Sequence, residues 1–114
     1  MYPNILLIVM DATRASNLSC YGYFRPTTPN LERFAERCTV YESAISPAGW
    51  TLPAHASIFT GLYPSKHGAV EQHKYLDRAY PVMAECLRLH GYRTVALCNN
   101  RYVGPATGLH RAWS

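Results

Sequence analysis

The uninterrupted aliphatic run Ile5-Leu6-Leu7-Ile8-Val9-Met10 constrains the fold more than any other stretch of this chain. It has no polar alternation, so it predicts a strand buried on both faces. Strands of that kind belong to parallel sheets covered by helices. Asp11 follows directly and falls at the carboxyl end of the strand. Open parallel sheets bind ligands beyond that edge, so a carboxylate there suits a site as well as it suits a turn.

The rest of the chain supplies the covering helices. Thr28 and Pro29 are the residue types of a helix start, and Leu31, Phe34, Ala35 and Cys38 recur at the spacing of one buried face. Thr39–Ala44 is expected to form a short second strand. A loop over Ile45–Trp50 leads to a helix predicted to begin at Thr51, with Thr51 as its cap and Pro53 in its first turn, and to stop near Gly61. Leu62–Leu76 reads mostly as loop, with a short strand around Val70. A third helix is expected from Tyr80 or Pro81 to His90, with Val82, Met83, Cys86 and Leu87 as its apolar stripe and Gly91 as its stop. Tyr92–Cys98 then reads as another parallel strand, delivering Asn99 and Asn100 to the edge already holding Asp11 and Thr51. The alternation predicts an α/β fold, a partial and mostly parallel sheet flanked by helices, in a single domain without repeats.

Thr51 is the leading candidate for chemistry. A helix start carries unpaired N–H groups and partial positive charge, a cradle for a phosphate or sulfate arriving at the Thr51 hydroxyl. The plain alternative is a helix cap. His55, one turn on, shares nearly the same face. It is placed to deprotonate Thr51 or to hydrogen-bond an oxyanion, and equally to serve as a structural histidine.

The formal net charge of +4 is spread over Arg14, Arg25, Arg33, Arg37, Lys66, Lys74, Arg78, Arg88, Arg93, Arg101 and Arg111 without a run, which argues against a nucleic-acid partner. Cys20, Cys38, Cys86 and Cys98 form no C-x-x-C pair, excluding a zinc ribbon or dithiol motif, and are expected to be buried free thiols. The run from Ile5 to Met10 is too short for a secretory leader and has no basic residue before it, and nothing reaches transmembrane length. A cytoplasmic location is therefore expected, with membrane association left open.

Several segments, in their order and spacing, resemble the amino-terminal part of the sulfatase family within the alkaline phosphatase superfamily. They are Pro3-Asn4 through Asp11 with Arg14, Cys20-Tyr21-Gly22-Tyr23, Thr28-Pro29-Asn30-Leu31, Pro47 through Ser57, Phe59 through Gly68, and Gly91-Tyr92-Arg93-Thr94. The resemblance covers nearly the whole chain and implies a three-layer α/β catalytic domain several times longer. The chain is accordingly expected to be an amino-terminal fragment, with an exposed sheet edge open to self-association.

The resemblance also implies site residues. Asp11 and Thr51 would bind a divalent metal, whether calcium, magnesium, manganese or zinc. Many relatives have a second Asp where this chain has Ala12. Sulfatases proper carry Cys or Ser in a C-x-P-S-R motif, oxidised to formylglycine, whereas this chain reads Thr51-Leu52-Pro53-Ala54-His55. Thr cannot yield that aldehyde, and His55 stands at the motif's Arg. The superfamily's phosphodiesterases and phosphotransferases use an unmodified Thr or Ser, which favours direct attack by Thr51. Asn99 falls at or beside a family Lys and Arg101 near a family His, making both substrate-binding candidates. His67 is given a structural or substrate-edge role, and His73, His90 and His110 are read as surface or helix-end residues. The expected function of the intact parent is metal-dependent hydrolysis or transfer of sulfuric or phosphoric esters, on a small molecule or a polymer, with Thr51 as nucleophile, while the isolated fragment is expected to be inactive. The alternatives are a catalytically inert truncated domain and a small basic binding module.

Overall fold

The structure is a computed structural model that describes residues 2–111 and residue 113. The chain divides into two compact units, Met1–Ala44 and Ile45–Ser114. No strand is assigned among the described residues, and the described β contact is an isolated antiparallel bridge between Val70 and His73.

The first unit holds itself together with hydroxyls rather than with a core. Helix α1 covers Pro29–Ala35. Thr28 precedes it as expected, but the Thr28 side chain makes no bond to the helix. Its Oγ1 instead accepts from the Cys20 N–H at 3.1 Å, and the Thr28 N–H donates to Ser19 Oγ at 2.9 Å. Thr27 Oγ1 adds a bond from the Ser19 N–H at 3.0 Å and donates to the Asn17 carbonyl at 2.7 Å. These bonds fasten the 3-10 turn Ser19–Tyr21 against α1. The expected buried stripe is corrected here: Leu31, Phe34 and Cys38 are exposed and Ala35 is half-buried. A stripe is buried only where a second apolar element covers it, and this unit contains no buried residue among those described.

The second unit contains the core, made of Leu52, Ala56, Phe59, Ala69, Leu76, Val82, Ala84, Val103 and Leu109. Helix α2 runs Thr51–Thr60 and ends at Gly61, whose φ of 70° places it in the left-handed region that glycine occupies without steric cost. Helix α3, Pro64–His67, lies within a stretch expected to be mostly loop; Pro64 opens it and Gly68, at φ 67°, closes it. Helix α4 spans Met83–Leu89, shorter than expected at both ends. Its stripe is also corrected. Val82 and Ala84 are buried and Leu87 is half-buried, but Met83 and Cys86 are exposed. Val82 sits in extended backbone just before the helix, so it does not share the helical period, and Ala84 and Leu87 form the inward face.

The last segment folds back onto this core. The Leu76 N–H donates to the Thr107 carbonyl at 2.9 Å. Arg111 donates from Nη2 to the Tyr80 carbonyl and from Nε to the Gly108 carbonyl, at 2.6 and 3.0 Å, with Glu85 Oε2 3.8 Å from Nη1. Glu85 Oε2 also accepts from the Val82 N–H at 2.9 Å, so one carboxylate serves the α4 start and the arginine. The cysteines are free, but Cys38, Cys86 and Cys98 are exposed and Cys20 is half-buried, against the expected burial. They lie on faces that no apolar element covers among the described residues. No helix of the described residues is long and apolar enough to cross a membrane.

Candidate functional site

Helix α2 begins at Thr51 because Trp50 is extended, with φ −148° and ψ 167°. The first turn tolerates Pro53, whose missing N–H would have had no helical acceptor. The first helical bond runs from the Ala54 N–H to the Trp50 carbonyl at 3.3 Å. Trp50 is therefore the capping position, and Thr51 is the first helical residue rather than the cap expected from its type. That one-residue shift changes what the hydroxyl can do. Thr51 Oγ1 accepts from Asn100 Nδ2 at 3.5 Å.

Asn100 is held by a tight turn of its own. Its Oδ1 accepts from the Tyr102 N–H at 2.9 Å, and its carbonyl accepts from the Val103 N–H at 2.9 Å. The Asn100 N–H lies 3.4 Å from Cys98 Sγ. Tyr102 packs edge to face against Trp50 with ring centroids 5.6 Å apart, and the Arg101 guanidinium lies over the Tyr102 ring at 5.2 Å. Both aromatic rings also pack on the core.

His55 is buried, and its Nδ1 lies 2.9 Å from the Thr51 carbonyl rather than at the hydroxyl. A carbonyl only accepts, so Nδ1 carries the proton and Nε2 is the acceptor nitrogen. His67 is also buried, 2% exposed, and forms a pair with Ser57. The Ala69 N–H donates to His67 Nδ1 at 3.1 Å, which leaves Nε2–H to donate to Ser57 Oγ at 3.0 Å. That tautomer cannot take the Ser57 proton, so the pair braces α3 against α2 and is no serine-activating dyad. Burial holds the His67 imidazole below its ordinary pKa, opposed in part by hydrogen bonding to the Pro53 carbonyl.

Asn99 and Arg101, the two expected substrate contacts, are exposed. Of the neighbouring asparagines, it is Asn100 that reaches Thr51. Both asparagines are expected at the edge that holds Thr51, and the amide side chain of Asn100, closing a turn onto Tyr102, is the local signal that sets it apart from Asn99. Asp11 belongs to the first unit, is exposed, and accepts from the Ala12 N–H at 3.0 Å through Oδ1. Ala12 itself sits at φ 57°, a left-handed conformation that Asp and Asn adopt more readily than Ala. Among the described residues no three or more His, Cys, Asp or Glu side chains group to hold a metal ion. Asp11 lies in the first unit and Thr51 in the second, and Ala12 offers no oxygen beside Asp11.

The sulfatase family model matches residues 3–113. The chain is similar to arylsulfatase H of Homo sapiens, at 30% identity over 105 residues that cover 81% of this chain and 18% of that protein. It is 29% identical over 97 residues to the N-acetylgalactosamine-6-O-sulfatase of Bacteroides thetaiotaomicron, covering 81% of this chain and 19% of that protein. It is 33% identical over 92 residues to the ulvan-active sulfatase of Formosa agariphila, covering 81% and 18% respectively. The chain thus spans 18 to 19% of the length of these relatives. No solved structure matches it.

Proposed function

This chain belongs to the sulfatase family, and on that premise we propose that Thr51 is the nucleophile of an active site that hydrolyses or transfers sulfuric or phosphoric esters. The observation that carries the reading is the position of the Thr51 hydroxyl, on the first turn of α2 and within reach of an amide donor. In the proposed reaction Oγ1 bonds to the sulfur or phosphorus of the ester as the hydroxyl proton departs. The bond to the alcohol oxygen breaks, and the alcohol leaves with a proton. Water then attacks the same atom, the bond to Oγ1 breaks, and free sulfate or phosphate is released with Thr51 restored. Because the Thr51 Cβ bears a methyl group, its oxidation would give a ketone, so formylglycine chemistry is closed to it. The sulfatase names of the relatives make sulfate esters the first class to test, with phosphate esters beside them.

The other residues take secondary parts. His55 has Nδ1 committed to the Thr51 carbonyl, which leaves Nε2 to accept a proton. Asn99 and Arg101 are proposed to meet the anionic ester from the exposed side of the turn that carries Asn100. Divalent-metal binding enters with Asp11 and Thr51 as ligands, and no chemical step is assigned to the metal. The free cysteines fit a reducing compartment, consistent with a cytoplasmic location.

The proposal includes the α/β architecture. Exposure alternates along residues 92–97, with Tyr92, Thr94 and Ala96 half-buried and Arg93, Val95 and Leu97 exposed, the period of a strand. Slow amide exchange at residues 5–10 and 92–98 is the expected result for a parallel sheet, and fast exchange throughout would remove it.

The functional test uses a full-length protein carrying these residues, incubated with 4-nitrophenyl sulfate and 4-nitrophenyl phosphate and followed by peptide mass analysis. A sulfuryl or phosphoryl adduct on Thr51 is expected, retained in Thr51→Ser and absent from Thr51→Ala. An adduct elsewhere, or none, would return Thr51 to a structural role and favour the catalytically inert reading.

A further inference from the structure

We infer that Asn100 is a positioning residue for Thr51, its Nδ2–H holding the hydroxyl oxygen in place and supporting the negative charge that gathers on it as the proton leaves. The inference rests on the reading of Thr51 as nucleophile and adds the group that prepares it.

The direction of the contact follows from the turn. Tyr102 N–H can only donate, and at 2.9 Å it fixes Oδ1 as the Asn100 atom on its side. Flipping the amide would set two donors against each other, so Nδ2 is the end that faces Thr51 Oγ1. A donor aimed at Oγ1 fixes the orientation of that oxygen. It also favours the deprotonated form of the hydroxyl, as an N–H does for any oxygen gaining negative charge. The 3.5 Å separation is long for such a bond, and contacts of this kind commonly tighten only when the reacting group is bound.

The turn is also rigid where it must be. The Asn100 carbonyl and Oδ1 are both bonded within the turn, to Val103 and Tyr102. The Tyr102 ring meets Trp50, the residue preceding Thr51. The two residues of the contact are thus each next to, or two places from, one member of a packed aromatic pair, so they keep their separation together.

The test measures adduct formation at Thr51 from 4-nitrophenyl sulfate or phosphate across pH in a full-length wild-type protein carrying these residues, Asn100→Ala, Asn100→Asp and the control Arg78→Ala. Asn100→Ala is expected to slow labelling about tenfold, the order of one moderate hydrogen bond, while Arg78→Ala, at an exposed position outside the site, labels at the wild-type rate. Asn100→Asp separates positioning from turn structure, because its carboxylate still accepts from the Tyr102 N–H but offers Thr51 no donor. It should label slowly at neutral pH and recover as falling pH protonates the carboxyl into a donor. Wild-type rate and pH profile in Asn100→Asp would overturn the inference alone. A second readout leaves position 100 untouched: the Asn100 side-chain amide signals in NMR should shift in Thr51→Val, and no shift would also overturn it. A full-length wild-type protein that takes no label at Thr51 would overturn the proposed function, and this inference with it.

Discussion

Trp50 and Tyr102 meet edge to face, with ring centroids 5.6 Å apart and planes at 87°. Fifty-odd residues separate them in the chain, yet they flank Thr51 and Asn100 on the two segments that form the candidate site. An edge-to-face pair is worth about 0.5–1.5 kcal/mol beyond the area it buries. A double-mutant cycle with Trp50→Ala and Tyr102→Ala in urea melts should return a coupling energy in that range. Zero coupling would mean that each ring packs on the core independently.

Gly108 has the least room for a side chain of any glycine in the second unit. Its φ is 72°, and a Cβ there would lie 2.7 Å from the Leu76 carbonyl oxygen and 3.0 Å from the Tyr75 ring. The carbonyl belongs to the residue whose N–H bonds Thr107, so the backbone cannot yield without loosening that bond. Gly108→Ala combines left-handed strain with overpacking and is expected to cost about 2–4 kcal/mol, read as a lower urea midpoint. A midpoint unchanged from the wild type would show that the chain end is not packed there.

Stability should fall as the solution is acidified through the histidine range. His67 has its pKa lowered on folding, chiefly by burial, so below about pH 6.5 the unfolded chain binds a proton that the folded chain resists. The contribution is complete above about pH 6.5 and is lost progressively as pH drops toward the lower folded value. Protonated Nδ1 would also face the Ala69 N–H, donor against donor. Urea midpoints measured between about pH 7.5 and 5 should decline in the wild type and lose part of that slope in His67→Gln. An identical slope in the variant would assign the acid sensitivity to other groups.

Arg111 fastens the last turn to the start of α4 through two backbone carbonyls and Glu85. Its side chain is 9% exposed, so an amputated fork would leave those acceptors buried. Arg111→Ala should cost about 1.5–3 kcal/mol by the usual range for hydrogen bonds to charged groups. Arg111→Lys should recover little, because one ammonium cannot span the carbonyls that the guanidinium reaches from separate nitrogens. Full recovery by Lys would reduce the interaction to simple charge pairing with Glu85.

Local chemistry made the bounds of α2 readable in advance. The Pro in its first turn and the Gly at its end act through dihedral preferences that need no partner, and the helix runs Thr51–Thr60 accordingly. The same local rules placed α4 within a few residues. They did not identify Trp50 as the capping position, because Thr51 has the better side chain for it and the extended backbone at Trp50 is set by the loop behind it.

What the sequence determined by itself was the family and the bounds of α2, since both depend on residue types in fixed order. Tertiary structure alone decided which asparagine meets Thr51, which nitrogen of His55 and His67 carries the proton, and which helical stripes are covered. Those outcomes depend on the path of distant backbone: Tyr102 N–H orients Asn100, Ala69 N–H selects the His67 tautomer, and the stripe of α1 stays exposed where its own unit provides no apolar surface against it. Periodicity specifies a face, but only the partner that packs on that face makes it a core.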